Sequence, residues 1–209
     1  MHVVLYGASG MIGSRILAEL VRRGHTVSAA TRHPELVSSA PGVTPVLSDA
    51  TKPESVAETA KGCEAAINAI SPAEGEPMRL VQAATSLLQA LPEAGIQRLI
   101  VVGNAGTLEV SPGVMQMDLA TFPSQWMGVA VAQRDVFHLL RGSSLDWTFY
   151  CPASIIRPGQ RTEKFRVDTG KMIFEEERPS HISVEDFAVA IVDELENPQH
   201  IHEQCTAAY

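Results

Sequence analysis

The sequence has few cysteines, few aromatic residues and no long apolar run. Its three cysteines, Cys63, Cys151 and Cys205, are odd in number and widely spaced, and they form no Cys-x-x-Cys pair. This spacing argues against a disulfide framework and against a zinc site. No stretch approaches the roughly 20 apolar residues that span a bilayer, and the start MHVVLYG lacks the features of a secretion signal. We therefore expect a cytoplasmic protein that makes no membrane contact.

Positive charge is also scarce. Sixteen Lys and Arg face 24 Asp and Glu, the formal net charge is −8, and no basic run offsets it. Nucleic-acid surfaces need clustered cations, so we expect no nucleic-acid partner. His138 and His181 have no neighbour at metal-ligand spacing, so no metal is predicted, and no Gly-x-Ser-x-Gly elbow supports a hydrolase.

Strand-like and helix-like segments alternate through the first half of the chain. Short apolar runs at 2–6, 26–31, 43–47, 65–70 and 98–102 predict strands, and helical periodicity predicts helices at 11–23, 54–61 and 76–91. The second half predicts helices at 124–141 and 184–196, a strand at 147–151 and an edge strand at 204–209, with long loops at 103–122 and 152–171. Ser183 and Asp186 predict a capping box for the last helix.

This alternation indicates βαβ units and therefore a parallel sheet. The predicted fold is an α/β, doubly wound parallel-sheet Rossmann fold over one domain, 1–209. Residues 103–128 and 152–182 would form a small substrate-side region, since long loops in compact domains tend to be functional.

A glycine-rich turn follows the first predicted strand. Gly7-x-x-Gly10-x-x-Gly13 lies between a strand and a helix, which is the context that a dinucleotide site requires. The first glycine allows a tight turn, the second lets backbone N–H groups approach a pyrophosphate, and the third lets helix and sheet pack closely. The helix N-terminus adds partial positive charge at the anion.

The end of the second predicted strand distinguishes the two nicotinamide cofactors. An acid there would bind an adenosine ribose hydroxyl and favour NAD(H), but this chain has Thr31-Arg32-His33. Arg32 can pair with a 2′-phosphate, so NADP(H) is preferred over NAD(H). Asp49 could accept from the adenine amino group, or it could satisfy its own turn. The predicted cofactor contacts are Gly7, Ala8, Ser9, Gly10, Met11, Ile12, Gly13, Arg32, Asp49, Asn68, Ala69, Ile70, Gly103, Pro152 and Ala153.

Several stretches together resemble a known superfamily. With GASGMIG, VGNAGTLEV, LDWTFYCPA, RPGQRTEKFR and ISVEDFAVAIVDELENPQH, most of the chain resembles the atypical short-chain dehydrogenase/reductase superfamily, in its NADH-flavin reductase branch. Biliverdin-IXβ/flavin reductase is a more distant relative with the same plan. The resemblance implies a Rossmann fold whose substrate region is built from the chain after the fifth strand.

Typical alcohol-oxidising members of that superfamily carry Tyr-x-x-x-Lys on the helix after the fifth strand. Counting back from LDWT, these positions fall near Val129 and Gln133, and the serine position falls near Thr107. Valine cannot donate a proton, and glutamine cannot lower a tyrosine pKa by charge. The absence of the Tyr-x-x-x-Lys dyad counts against alcohol dehydrogenation. Hydride transfer to a flavin or quinone has less need of an enzymic acid and depends mainly on orientation.

Candidates for the acceptor side follow the fifth and sixth strands. Asn104 and Thr107 are the predicted catalytic contacts, although a hydrogen-bonded turn is an equal alternative. Trp126 and Met127 could form an aromatic wall or pack in the core. Arg161 could hold an anionic tail of the acceptor, or it could belong to a solvated loop.

The predicted function is an NADP(H)-dependent reductase of a small planar acceptor, flavin or quinone, with flavin as a possible substrate. The alternative is a non-catalytic NADP(H) redox sensor of the NmrA-like type, which the missing dyad suits equally well. A third reading is an epimerase-like member with Tyr150 as a diverged acid, although Tyr150 lies within a predicted strand. The protein could be a monomer or a homodimer.

Overall fold

The computed structural model describes residues 1–72, 75–176, 178–179 and 181–209, with the backbone alone at 178–179. Positions 177 and 180 of the predicted substrate-side region lie outside the described residues. The strands are β1 His2–Tyr6, β2 Thr26–Thr31, β3 Val43–Leu47, β4 Ala65–Asn68, β5 Arg98–Val102, β6 Glu109–Ser111, β7 Val114–Met115, β8 Asp146–Pro152, β9 Ile155–Arg157, β10 Arg166–Thr169, β11 Phe174–Glu175, β12 Arg178–Pro179, β13 His181–Ser183 and β14 Glu203–Ala208. The helices are α1 Met11–Arg22, α2 Pro53–Ala60, α3 Met78–Glu93, α4 Ser124–Arg141 and α5 Val184–Glu196.

Eight of these strands form the central sheet, in the order β10-β14-β8-β5-β4-β1-β2-β3. All neighbours pair in parallel except β10, which runs antiparallel to β14. The strand order reverses between β1 and β4, as it does in doubly wound sheets. The predicted fold class is therefore confirmed.

Helices cover both faces of this sheet. α1 and α5 pack against each other on one face, and α2, α3 and α4 pack in sequence on the other. Each layer closes a continuous apolar core, and β1, β4 and β5 contribute residues to both. Strands buried on two faces require the unbroken apolar runs from which they were predicted. β3 contains Pro45, which is tolerated because β3 is the outer strand.

The C-terminal strand differs from its prediction. Residues 204–209 were expected to form an edge strand, but β14 lies inside the sheet, between β8 and β10. The true edge is β10, within the segment that we predicted to be loop. Its four residues are all exposed, so the sequence Arg-Val-Asp-Thr carries no apolar alternation that would reveal a strand.

Local hydrogen bonds account for smaller differences. β4 ends at Asn68 rather than at residue 70, because the Asn68 side chain accepts the Ile70 N–H and turns the chain. The predicted loop 103–122 contains the β6–β7 hairpin and two short 3₁₀ turns. The Ser183 side chain accepts the Asp186 N–H, which confirms Ser183 as the cap of α5. The reciprocal half of the predicted capping box is absent from the described structure, because the Ser183 N–H donates to the Tyr209 hydroxyl and the Asp186 carboxylate accepts from Thr162.

In the part of the chain that is described, no helix is both long enough and apolar enough to cross a bilayer. The cytoplasmic location and the choice between monomer and homodimer stay predictions.

Candidate functional site

A cleft lies at the carboxyl ends of β1, β2, β3 and β4, where the strand order reverses. Ligands of open α/β sheets bind at this place. We call it the switch-point cleft. It is lined by Tyr6, Gly7, Ser9, Gly10, Ala30, Thr31, Arg32, His33, Ser48, Asp49, Ala50, Thr51, Ala69, Ile70, Ser71, Arg79 and Ala83.

Two glycines of the turn are required by the protein itself. Gly7 has φ +82°, and a Cβ there would lie 2.6 Å from the Ala69 carbonyl oxygen. A Cβ on Gly13 would lie 2.1 Å from the Gly7 carbonyl oxygen. Because real Cβ atoms never approach so closely, any side chain at either position would push helix α1 away from the sheet.

Gly10 is different. A Cβ there would meet only the Gly7 carbonyl oxygen, at 3.3 Å, so the fold alone does not demand a glycine. Gly10 is the N-cap of α1, and no side chain of the described structure caps this helix. The first-turn N–H groups of Met11, Ile12 and Gly13 are therefore left for a ligand. The open space and the uncapped helix fit the pyrophosphate of a dinucleotide.

The neighbouring residues of the turn support this geometry. Ala8 is buried, and the Ser9 hydroxyl lies 2.8 Å from the hydroxyl of Thr31 at the end of β2. Met11 is 48% exposed at the start of α1. Of the predicted cofactor residues from Gly7 to Gly13, Gly7, Ser9 and Gly10 line the switch-point cleft, and Met11, Ile12 and Gly13 begin helix α1 directly after them.

Two basic side chains follow β2 at the place where an acid would select NAD(H). Arg32 and His33 are exposed and line the switch-point cleft. The His33 ring lies 3.3 Å from Glu35, whereas Arg32 makes no ion pair or hydrogen bond with any described side chain. An uncommitted guanidinium at this point is available to an anionic ligand group.

Asp49 lies across the same cleft. Its Oδ1 accepts from the backbone N–H and the hydroxyl of Thr51, at 3.1 and 2.8 Å, and it lies 3.4 Å from Arg79 on α3. Burial alone would raise the pKa of Asp49, but the Thr51 hydrogen bonds and the Arg79 charge outweigh it and lower that pKa. Arg79 was not predicted as a site residue, because its approach to Asp49 depends on where α3 packs and no local motif marks it.

The carboxyl end of β4 brings three further predicted residues to this edge. Asn68 is buried, and Ala69 and Ile70 line the switch-point cleft with their neighbour Ser71. The Ile70 N–H is used by Asn68 Oδ1 at 3.1 Å. These residues form the wall between the glycine turn and the end of β5.

The turn after β5 holds the predicted catalytic pair. Asn104 is half-buried and caps a short 3₁₀ turn through its side chain. Thr107 is only 2% exposed, and its hydroxyl donates to the Asn104 carbonyl at 2.8 Å. Gly103 packs tightly, since a Cβ there would lie 2.6 Å from Cys151 Sγ. These contacts give Thr107 and Gly103 structural tasks behind Asn104.

The remaining acceptor-side candidates come from β8 and α4. Pro152 and Ala153 are buried where β8 ends at the carboxyl edge. Trp126 and Met127, in the first turn of α4, are 54% and 36% exposed, so neither is a core residue. None of these four lines the switch-point cleft. Their predicted ligand contacts remain predictions.

α4 also carries the two positions at which the dyad was sought. Gln133 is buried, and its Nε2 donates to the Val102 carbonyl at 3.4 Å. Val129 is half-buried on the same helix. Tyr150, the spare phenol, is buried on β8 against Phe187, and burial raises its pKa further above the usual value. A phenol buried in the core is not a proton donor for a bound substrate.

Arg161 lies away from the switch-point cleft. Its guanidinium binds Glu19 of α1 at 2.8 Å and also pairs with Glu163. Glu19 is 4% exposed and also accepts from Arg23 and Arg22. Glu19 was not predicted to have a role, because its position on a helix does not show that three arginines donate hydrogen bonds to its carboxylate.

With the site's geometry in place, the chain can be compared with known proteins. A family model described as NAD(P)H-binding matches residues 7–198. A protein of Burkholderia pseudomallei proposed to be exported is 42% identical over 100% of both chains, with a TM-score of 0.90. A proposed epimerase of Bacteroides thetaiotaomicron is 34% identical over 100% of this chain and 96% of its own, with a TM-score of 0.92. A proposed NADH-flavin reductase of Streptococcus pneumoniae is 29% identical over 100% of this chain and 99% of its own, with a TM-score of 0.86.

These matches confirm the predicted resemblance and the predicted class, a nicotinamide-binding oxidoreductase-like protein. The matched region begins at Gly7, the first glycine of the turn, and runs through α5 to residue 198. The chain belongs to the NAD(P)H-binding family.

Proposed function

We propose that the protein is an NADP(H)-dependent reductase that passes a hydride to a planar acceptor such as a flavin or a quinone. Bound in its reduced form, the nicotinamide cofactor would supply that hydride. The observation that carries the proposal is the pair formed by the glycine turn and Arg32, both in the switch-point cleft. The glycine turn suits a pyrophosphate, and Arg32 suits a 2′-phosphate.

The residues around the cleft suit the two ends of the adenosine group. Arg32 and His33 follow β2, where the ribose of a dinucleotide would lie, and they offer donors to a phosphate rather than an acceptor to a hydroxyl. Asp49 keeps a low pKa and therefore stays ionised, and its Oδ2 has no partner in the described structure. That oxygen can accept from the adenine amino group.

The choice of acceptor rests on the proton donors that the site lacks. The two acids considered from the sequence are Thr107, which donates to a backbone carbonyl, and Tyr150, which is buried in the core. Neither could protonate the alkoxide formed from a simple ketone. A flavin or quinone delocalises its added charge and can take a proton from water, so orientation suffices.

A turnover assay tests this proposal. Purified protein should oxidise NADPH in the presence of FMN, FAD, riboflavin or a quinone, and should do so more slowly with NADH at low concentration. NADPH oxidation is followed by its absorbance, with each acceptor mixed without protein as the control. Failure to oxidise NADPH with every acceptor would contradict the proposal. Tight binding of NADP⁺ and NADPH without any turnover would instead indicate the sensor that we named as the alternative.

A further inference from the structure

The amide of Asn104 can face a ligand in one way only. Its Oδ1 accepts the backbone N–H of Gly106 at 2.6 Å. Because a backbone N–H can only donate, the amide atom that it meets has to be the oxygen. The amide nitrogen Nδ2 is then the group left for another partner, and it has none among the described residues.

Glycine at position 106 is what allows this arrangement. A Cβ there would lie 2.7 Å from Asn104 Oδ1 and 3.0 Å from the Ala130 Cβ of α4. A side chain at 106 would therefore displace the Asn104 amide from its hydrogen bond. The sequence Asn-Ala-Gly thus fixes the side chain as well as the turn.

A buried polar cluster holds the same turn from below. The Thr107 hydroxyl donates to the Asn104 carbonyl at 2.8 Å and accepts from Gln204 Nε2 at 2.9 Å. Cys151 Sγ accepts from Gln204 Nε2 at 3.4 Å and lies 3.6 Å from the Thr107 hydroxyl. These groups come from the turn after β5 and from the neighbouring strands β8 and β14. Polar side chains are costly to bury, and here they hold the turn that carries Asn104.

We propose that Asn104 Nδ2 donates a hydrogen bond to a carbonyl oxygen of the acceptor, and that this selects conjugated carbonyl compounds of the flavin or quinone kind. The inference rests on the proposed function and names its acceptor class. Asn104 lies at the carboxyl end of β5, beside the β4 end that lines the switch-point cleft. It is therefore a donor at the edge where the acceptor would meet the cofactor.

The chemistry of a neutral amide decides the class of acceptor. The hydride brings the acceptor two electrons and one proton, and the negative charge that results can be carried by a conjugated oxygen. Asn104 stabilises that charge by a hydrogen bond but gives up no proton, and water supplies the second proton. An unconjugated ketone would leave a localised alkoxide, which needs an acid that Asn104 is not.

The variant Asn104→Asp separates the donor from the turn. An aspartate oxygen still accepts the Gly106 N–H, but the donor is replaced by a charged oxygen. With menadione or FMN as acceptor, we expect kcat to fall roughly 100-fold, as when one donor to a developing oxyanion is removed. The Kd for NADP⁺ and the melting temperature should stay unchanged. The matched control is Asn197→Asp, which makes the same charge change at the far end of α5.

Binding supplies a second readout that needs no turnover. Titration of the NADP⁺-loaded protein with FMN or menadione should show weaker binding to Asn104→Asp and to Gly106→Ala than to the wild type and Asn197→Asp. The wild type should reduce menadione and leave cyclohexanone unreduced.

The outcomes separate the two proposals. Undiminished kcat and unchanged acceptor binding in Asn104→Asp would overturn the inference about Asn104 and leave the reductase intact. Equal loss of NADP⁺ affinity would overturn it too, since the amide would then hold the cofactor. Comparable reduction of cyclohexanone would overturn the acceptor class. A wild type that neither binds nor reduces FMN or menadione would overturn both proposals.

Discussion

The two halves of the carboxyl edge are built in different ways. The switch-point cleft comes mainly from four short stretches at the carboxyl ends of β1, β2, β3 and β4, and α3 adds Arg79 and Ala83. The acceptor side depends on Asn104, whose turn is held through the Thr107 hydroxyl by two residues distant in the chain, Gln204 and Cys151. The local motifs of the cofactor half can be identified from the sequence, as can Asn104, whereas the long-range contacts that hold Asn104 in place cannot.

Two arginines show the same contrast. Arg32 and Arg161 were both predicted to bind an anionic group. Arg32 lines the cleft without a partner among the described side chains, while Arg161 binds the buried Glu19. The segment around Arg161 is also tied to α5, where Glu185 accepts the Gly159 N–H at 2.7 Å. Part of the predicted substrate-side region thus serves to fasten the chain to α1 and α5.

The largest effect is expected within the glycine turn. Gly13→Ala places a Cβ 2.1 Å from the Gly7 carbonyl oxygen, so α1 must shift. We expect this variant to lose about 3 kcal/mol of stability and also to lose NADP⁺ binding. Gly10→Ala should cost about 1 kcal/mol or less, yet weaken NADP⁺ binding at least about tenfold, since the methyl group occupies the space for the phosphate. Urea unfolding and NADP⁺ titration measure the two effects. Equal stability losses in both variants would contradict the distinction between these glycines.

The second largest effect is expected at the ion pair between Arg161 and Glu19 of α1, which acid should weaken. Hydrogen bonds from Arg161 and Arg23 lower the pKa of Glu19 to about 2, against the opposing effect of burial. A depressed carboxylate pKa stabilises the fold above pH about 4.5, and this contribution is lost as the pH falls towards 2. The free energy of unfolding of the wild type should exceed that of Glu19→Gln by about 2 to 3 kcal/mol at pH 7, and this difference should shrink as the pH falls. Urea unfolding at pH 7, 4 and 3 measures the gap, and a gap that does not change with pH would contradict this assignment.

The smallest expected effect concerns cofactor choice. Arg32→Ala removes a charge-assisted partner of the 2′-phosphate, so NADP⁺ affinity should fall about 10- to 100-fold while NAD⁺ affinity stays the same. Arg161→Ala is the matched control: it should lower the melting temperature and leave both affinities unchanged. Calorimetric titration with the two cofactors measures this. Equal losses for NADP⁺ and NAD⁺ in Arg32→Ala would refute the assignment of Arg32.

Features that depend on neighbouring residues were predicted correctly, whereas features that depend on residues distant in the chain were not. β1, β2, β3 and β5 were predicted with their observed bounds, and β1 and β5 show the reason most clearly, because a strand buried on both faces leaves an unbroken apolar run. β10 was missed because its exposed residues carry no such pattern, and β14 was placed at the edge because β10 was not seen. Arg79 and Glu19 were not predicted for a related reason, since each hydrogen-bonds a partner on a distant element of the chain.

The sequence by itself determined the first five strands of the sheet, the glycine turn and the basic residues after β2, because strand periodicity, φ-dependent turns and helix N-termini are properties of neighbouring residues. Only the tertiary structure decided which arginine is free and which is paired, and which atom of Asn104 faces outward. These depend on side chains that meet after the strands have packed, and no spacing along the chain records which of them will meet.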